Sequence, residues 1–418
     1  MGAIQRGARA FSLAVAAVVV ASSGAHATDG YFLDGIGARS KALGGAGVAD
    51  GKDATSAALN AAGIVHADNE VDLAASVFLP FREATIGGFT VESDRNAFLL
   101  PNVAINWKTI GSPYFDAVTL SLSGNGGMNT TYPASANIFG AGKAGVDLQQ
   151  MLLTVAVAKK FGNVSVGVAP VAALQIFQAN GLAAFSGFSS DPSALTDRGK
   201  DHEFGAGLRA GIEWAVLPTF RVGVAGSTPI WTNPFTRYKG LFADGGDFDI
   251  PANVQAGIAV DVSPAVTLLV DYRRIWFSET SAVGNPSTLL APGSLGTANG
   301  PGFGWNDVDA IKAGVEWKYS PKLVLRAGYS YNTQPINSRD VQLNILAPAV
   351  VQHHITGGFA YRWSDSLDLE LAAVYVPREH VSGTALNPPG VPIDLSMEQF
   401  EVTAGFKYRF GENSPPLK

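Results

Sequence analysis

The 418-residue chain contains no cysteine. That excludes a disulfide framework and leaves no thiolate to bind a metal or act as a nucleophile. Charge is scarce as well. Charged residues make up 15% of the chain, where a soluble domain carries about a quarter. The 29 Lys+Arg are spread against 35 Asp+Glu without a basic run, so no nucleic-acid footprint is present. After the first residues no stretch reaches the ~20 apolar residues of a membrane helix. Enzyme signatures are missing too: there is no G-x-S-x-G elbow, no H-E-x-x-H and no Walker loop. Gly205-Ala206-Gly207-Leu208-Arg209-Ala210 spells a dinucleotide pattern but sits mid-strand, where that pattern has no mechanism. His353 and His354 are adjacent and therefore point to opposite faces of a strand. Asp244, Asp247 and Asp249 offer hard oxygens for a divalent cation, although a solvated acidic loop is the simpler reading. The chain is read as a non-enzyme with no cofactor and no metal.

What is present begins with an export signal over residues 1–27. Arg6 and Arg9 supply the positive end, residues 11–20 the apolar run, and Ala25-His26-Ala27 the cleavage site. The mature chain then starts at Thr28. An exported chain of low charge, with a mean hydropathy of +0.15 and no membrane helix, fits a transmembrane β-barrel. Composition alone would also allow a large secreted β-sandwich.

Alternation decides between them. Phe400, Val402, Ala404, Phe406, Tyr408 and Phe410 share one face of a strand, and Glu401, Thr403, Gly405, Lys407 and Arg409 share the other. The pattern recurs upstream, as in Phe204 to Trp214 and Ile311 to Tyr319. Small inward residues leave room for contents. Short turns at Gly162-Asn163, Pro218, Pro264, Pro321 and Ser364-Asp365-Ser366 alternate with long irregular stretches near 179–200, 234–248, 279–304, 334–350 and 383–395. Trp214, Tyr319, Trp363, Tyr408 and Phe410 lie at the short-turn side as an interfacial girdle. The expected fold is an all-β, 14-stranded antiparallel transmembrane barrel over residues 70–410, an even count as single-chain barrels require. Its lumen is wider than side chains alone can fill. The Gly- and Ala-rich segment 28–69 lacks alternation and is the natural plug. Residues 411–418 form a tail.

Within the plug, Asp53 is an expected N-cap for a short helix over 54–60, with Gly63 near its end. Tyr31, Phe32, Leu33 and Ile36 form an apolar cluster that either packs the segment down or faces a ligand. Gly124, Asn125, Gly126 and Gly127 weaken the third strand and permit a bulge or bend; an extracellular turn is the plain alternative. Ile138, Phe139, Leu182, Phe185 and Phe188 are loop apolar residues suited to an outer collecting surface, or to simple loop packing.

These residues resemble the FadL/TodX outer-membrane transporters of long-chain fatty acids and aromatic hydrocarbons. The likeness runs through Gly35-Ile36-Gly37-Ala38-Arg39, Leu43-Gly44-Gly45-Ala46-Gly47-Val48-Ala49-Asp50, Asn60-Ala61-Ala62-Gly63-Ile64 and Gly124-Asn125-Gly126-Gly127-Met128-Asn129-Thr130. Ala61 stands where the family usually carries proline, and the tail extends past Phe410, where such barrels usually stop. The resemblance implies a monomer embedded in outer-membrane lipid and lipopolysaccharide, with the plug as a hatch. It further implies passive uptake of a hydrophobic small molecule, with Tyr31, Phe32, Leu33 and Ile36 beside the solute and lateral exit at the third-strand kink. A general porin for polar solutes and a structural or adhesive surface barrel are the alternatives.

Overall fold

The structure, a computed structural model, describes residues 29–109 and 111–411. The export signal and all of the tail except Gly411 lie outside them. Fourteen long strands close on themselves. They are β1 (Glu70–Ile86), β2 (Phe98–Lys108), β3 (Ala117–Asn129), β4 (Gly145–Phe161), β5 (Val164–Asn180), β6 (Asp201–Leu217) and β7 (Phe220–Ser227), followed by β8 (Asn253–Ser263), β9 (Val266–Ile275), β10 (Val308–Ser320), β11 (Leu323–Asn332), β12 (His353–Arg362), β13 (Leu367–Leu386) and β14 (Pro389–Arg409). Each pairs antiparallel with its chain neighbours, and β14 returns to β1 from Glu70↔Arg409 to Ile86↔Ile393. Two short strands lie off this circuit: Phe89–Glu92 folds back on β1, and Trp231–Thr232 lies on β6.

The alternation behaves as the sequence predicts. Phe400, Val402, Phe406 and Tyr408 are exposed on the outer face, while Gln399, Glu401, Thr403 and Lys407 are buried inside. An outward apolar belt over a polar interior is the pattern of a wall that meets lipid. Trp214, Tyr319, Trp363 and Tyr408 are exposed near the short turns. One expected loop is a strand pair instead. Residues 383–395 lie mostly in the β13–β14 hairpin, with Val381↔Leu395 and Gly383↔Ile393 in register. Pro388, Pro389 and Pro392 disguise it, because proline lacks the ladder N–H. Val391, Ile393 and Leu395 nonetheless keep a period of two.

The expected hatch, residues 29–69, is mostly buried against wall residues such as Glu213, Asp271, Glu316 and Glu401. It contains helix α1 (Gly37–Ala42) and two 3-10 turns, Ala54–Ala58 and Ala61–His66. Asp53 caps the first as expected, accepting from Ser56 N at 3.1 Å. The segment then breaks at Asn60, so Gly63 falls inside the second turn rather than at the end of a single helix. Asn60 caps that second turn, accepting from Ala62 N at 3.0 Å and donating to Val48 O at 2.7 Å. Ala61 is thus the first residue of the turn, a position that proline and alanine both suit.

Ion pairs fasten the hatch to the wall. Arg39 meets Asp50 at 2.6 Å and Glu316 at 2.9 Å. Lys312 reaches Asp29 and Asp34, each at 2.9 Å, and Lys41 pairs with Glu401. Removing one partner from such a buried pair leaves an uncompensated charge costing about 3–5 kcal/mol. Wall glycines let the hatch backbone approach. A Cβ on Gly223 would lie 2.3 Å from Val48 O, and one on Gly211 would lie 2.1 Å from the Asn60 side chain. Gly223→Val should therefore unseat the hatch, at an overpacking cost of about 1–3 kcal/mol. The check is ion current through planar bilayers: the variant should conduct more than the parent, and equal currents from a folded variant would contradict this seating.

Candidate functional site

The site begins where the wall is incomplete. The β2–β3 ladder runs from Lys108↔Ala117 only as far as Asn102↔Ser123. Above it, β2 continues along β1 to Phe78↔Phe98, and β3 continues along β4 to Asn129↔Asp147 with a register shift between Gly124 and Gly126. The two strands therefore part company. Main-chain pairing resumes higher up, where Asp94 N donates to Thr131 O at 2.7 Å. The result is a side window, edged by residues 95–101 on one side and 124–130 on the other.

The hatch serves the free edge from inside. Leu33 N donates to Asn125 O at 2.9 Å, Gly127 N donates to Tyr31 O at 3.2 Å, and Phe32 bridges Gly126. Only glycine permits this contact: a Cβ on Gly126 would fall 1.6 Å from Tyr31 O, and one on Gly127 would fall 2.2 Å from Leu148 O. Gly124, Asn125, Gly126 and Gly127 thus form a bulged strand edge, not a turn, and they meet the hatch residues singled out with them.

Tyr31 and Phe32 enter an aromatic cluster. Tyr31 stacks on Phe32 at 5.3 Å between centroids and meets Phe277 edge-on at 5.1 Å and Trp305 at 5.9 Å. Leu33 and Ile36, together with Phe32, line a mainly polar pocket with Asn125, Arg209 and Arg273. Asn60, Ala61 and Ala62 sit lower, against β5 and β6, away from the window. Behind the window lies a pocket lined by Phe78, Arg82, Met128, Asn129, Trp305 and Met397. A further apolar pocket sits among the outer loops, with Phe185, Phe242, Phe303 and Leu346 on its walls. Phe139 is buried and stacks on Phe185 at 5.4 Å, Phe185 meets Phe188 at 6.4 Å, Leu182 is buried, and Ile138 is exposed.

Sequence reasoning missed Trp305, Phe277, Met128, Met397 and Arg82. The long connection expected over 334–350 is present, but its residues 341–351 are buried, which the sequence reading did not foresee. Tyr132 Oη donates to Ile345 O at 2.7 Å and Thr130 Oγ1 to Leu346 O at 2.8 Å, tying that segment to the window's upper corner. The apolar run from Ile345 to Val351, interrupted only by Pro348, was the available signal.

The fold has solved counterparts. The toluene transporter TodX of Pseudomonas putida matches with a TM-score of 0.66 at 15% identity, covering 91% of this chain and 100% of its own. A FadL homologue of Pseudomonas aeruginosa matches with a TM-score of 0.68 at 13% identity, covering 91% and 100%. The Ralstonia pickettii toluene transporter TbuX gives 0.64 at 16%, covering 91% and 99%. The chain has the FadL/TodX fold. No protein-family model and no curated protein matches it in sequence. The fold that the resemblance implied is the fold observed.

The outer acidic loop belongs to this face as well. Asp249 accepts from Thr232 N at 2.7 Å. Asp247 is half-buried, and burial, then the Asp249 and Asp244 carboxylates, push it up to about 6. Its folded pKa thus exceeds the unfolded value of about 3.9, so its charged form weakens the loop as pH rises through that window. Asp247→Asn should slow proteolytic nicking of 234–248 near neutral pH and change nothing near pH ~4. An equal effect at both values would contradict this.

Proposed function

We propose that the chain carries hydrophobic compounds passively across the outer membrane and releases them sideways through the window between β2 and β3. The observation that carries this reading is the broken β2–β3 ladder, which lies directly beside the apolar cavity under Trp305 and Met128. A solute collected at the outer loop cavity would pass the aromatic cluster to the inner cavity and leave into the wall's lipid. The transporters of matching fold are named for toluene, or as a FadL homologue, in keeping with an apolar cargo. Nothing in this route needs an energy source beyond the concentration gradient.

A general porin needs an open lumen. Here the hatch and its ion pairs occupy the lower half, with Glu316 shared among Arg39, Lys52 and Arg326. That arrangement supports the sideways route over an axial one.

Substituting Gly126 and Gly127 by valine tests the window. The added carbons meet Tyr31 O and Leu148 O, so the strand edge and the hatch segment must move apart or seal. Uptake of a radiolabelled hydrocarbon or fatty acid should fall about tenfold or more, a barrier change of about 1.4 kcal/mol, while the heat-modifiable barrel stays folded. Parental uptake by a folded double variant would sink the proposal.

A further inference from the structure

Arg82 crosses the window. It stands on β1, is 2% exposed, and donates to carbonyls on both edges. One terminal nitrogen, Nη1, donates to Asn129 O on the β3 edge. The other, Nη2, donates to Arg95 O on the β2 edge and to Asn96 Oδ1 at 3.2 Å. Its guanidinium also lies 5.6 Å from the centroid of Phe98, which borders the gap.

Two features make the residue more than a structural staple. Among the described residues no carboxylate pairs with Arg82, although nearby Arg95 has Asp147 at 2.9 Å. Moreover, Arg82 Nε and both side-chain polar atoms of Asn129, Nδ2 and Oδ1, are buried without a hydrogen-bond partner, and both residues line the pocket behind the window. A buried cation with only carbonyl partners is costly. The rest of the lining, from Phe78 to Met128, Trp305 and Met397, is apolar. A cavity with an apolar body and one cationic corner suits a molecule with an apolar chain and one anionic head.

We propose that Arg82 latches the side window and that the acid group of the passing solute releases the latch. The ligand class is an amphipathic monocarboxylate, with its chain against Trp305 and Met397 and its head on Arg82 and Asn129. A carboxylate accepts from guanidinium in a charge-assisted bond roughly twice as strong as one to a neutral carbonyl. The exchange draws Arg82 away from Arg95 O and Asn129 O and frees the two edges. No bond is made or broken beyond hydrogen bonds. A neutral hydrocarbon offers no such exchange and passes the latched window more slowly. This inference rests on the sideways route proposed above.

The test uses the purified full chain, with dodecanoate and dodecanol as probes and tryptophan fluorescence as the readout. The parent should bind dodecanoate about ten- to a hundredfold more tightly than dodecanol, as expected for a hydrogen-bonded charge. Arg82→Gln should bring dodecanoate to the level of dodecanol and leave dodecanol unchanged. Arg82→Lys, which keeps the charge but loses the fork, should retain part of the preference and guards against a folding defect. In vesicles, Arg82→Gln should also speed entry of neutral dodecane, because the latch is gone. Equal affinities in the parent, an equal loss for both probes in Arg82→Gln, or unchanged dodecane entry would overturn the latch. Failure of the parent to bind either probe would overturn the transport reading as well, which separates the two.

Discussion

Hydrocarbon offers no hydrogen bonds, so every main-chain N–H and C=O of a membrane wall must be paired within the protein. That requirement explains the closed circuit, with β14 returned to β1 over its whole length. It also makes the opening between β2 and β3 informative. Between Asn102↔Ser123 and the Asp94–Thr131 bond, the β2 and β3 edges have no ladder between them. Their polar groups are served from inside, by Tyr31 and Leu33 of the hatch and by the Arg82 guanidinium. An opening in the wall is tolerable only because protein stands behind it.

The hatch therefore does two jobs with different chemistries. Its lower part, from α1 to the second 3-10 turn, is held by buried ion pairs of Arg39 with Glu316 and Lys41 with Glu401 and by backbone seated against wall glycines. Its upper part, Tyr31 to Leu33, adds two main-chain bonds and aromatic stacking, between the Asp29 and Asp34 carboxylates that Lys312 holds. The lower part is costly to move, because each buried pair must be broken whole. The upper part is joined to the window edge itself, so any displacement of Tyr31 or Phe32 is felt at Gly126 and Gly127.

Much of this was legible in the sequence, and the reasons are physical. Strand periodicity survives in a barrel because lipid and lumen impose opposite demands on alternate residues, as from Phe400 to Tyr408. The count of strands followed from that periodicity, and the hatch from its absence. The glycines of 124–127 were legible because a bulged edge needs them. What was hidden lay in three dimensions. The 341–351 segment has loop-like neighbours in sequence, yet it turns inward, and its run of apolar residues is explained only by burial. Trp305 lies in a long connection between β9 and β10. Arg82 continues the alternation of β1, and its position across the window depends on where β3 bends. The hairpin at 383–395 was masked by prolines.

The central claim is that solute leaves between β2 and β3. Because the chain has no cysteine, an introduced pair is unambiguous. Leu100 and Asn125 would face one another if the ladder continued past Asn102↔Ser123. With both replaced by cysteine, oxidation should tie the window edges, stop uptake of hydrophobic solute, and be reversed by reductant. Uptake that persists in the cross-linked protein would contradict the account.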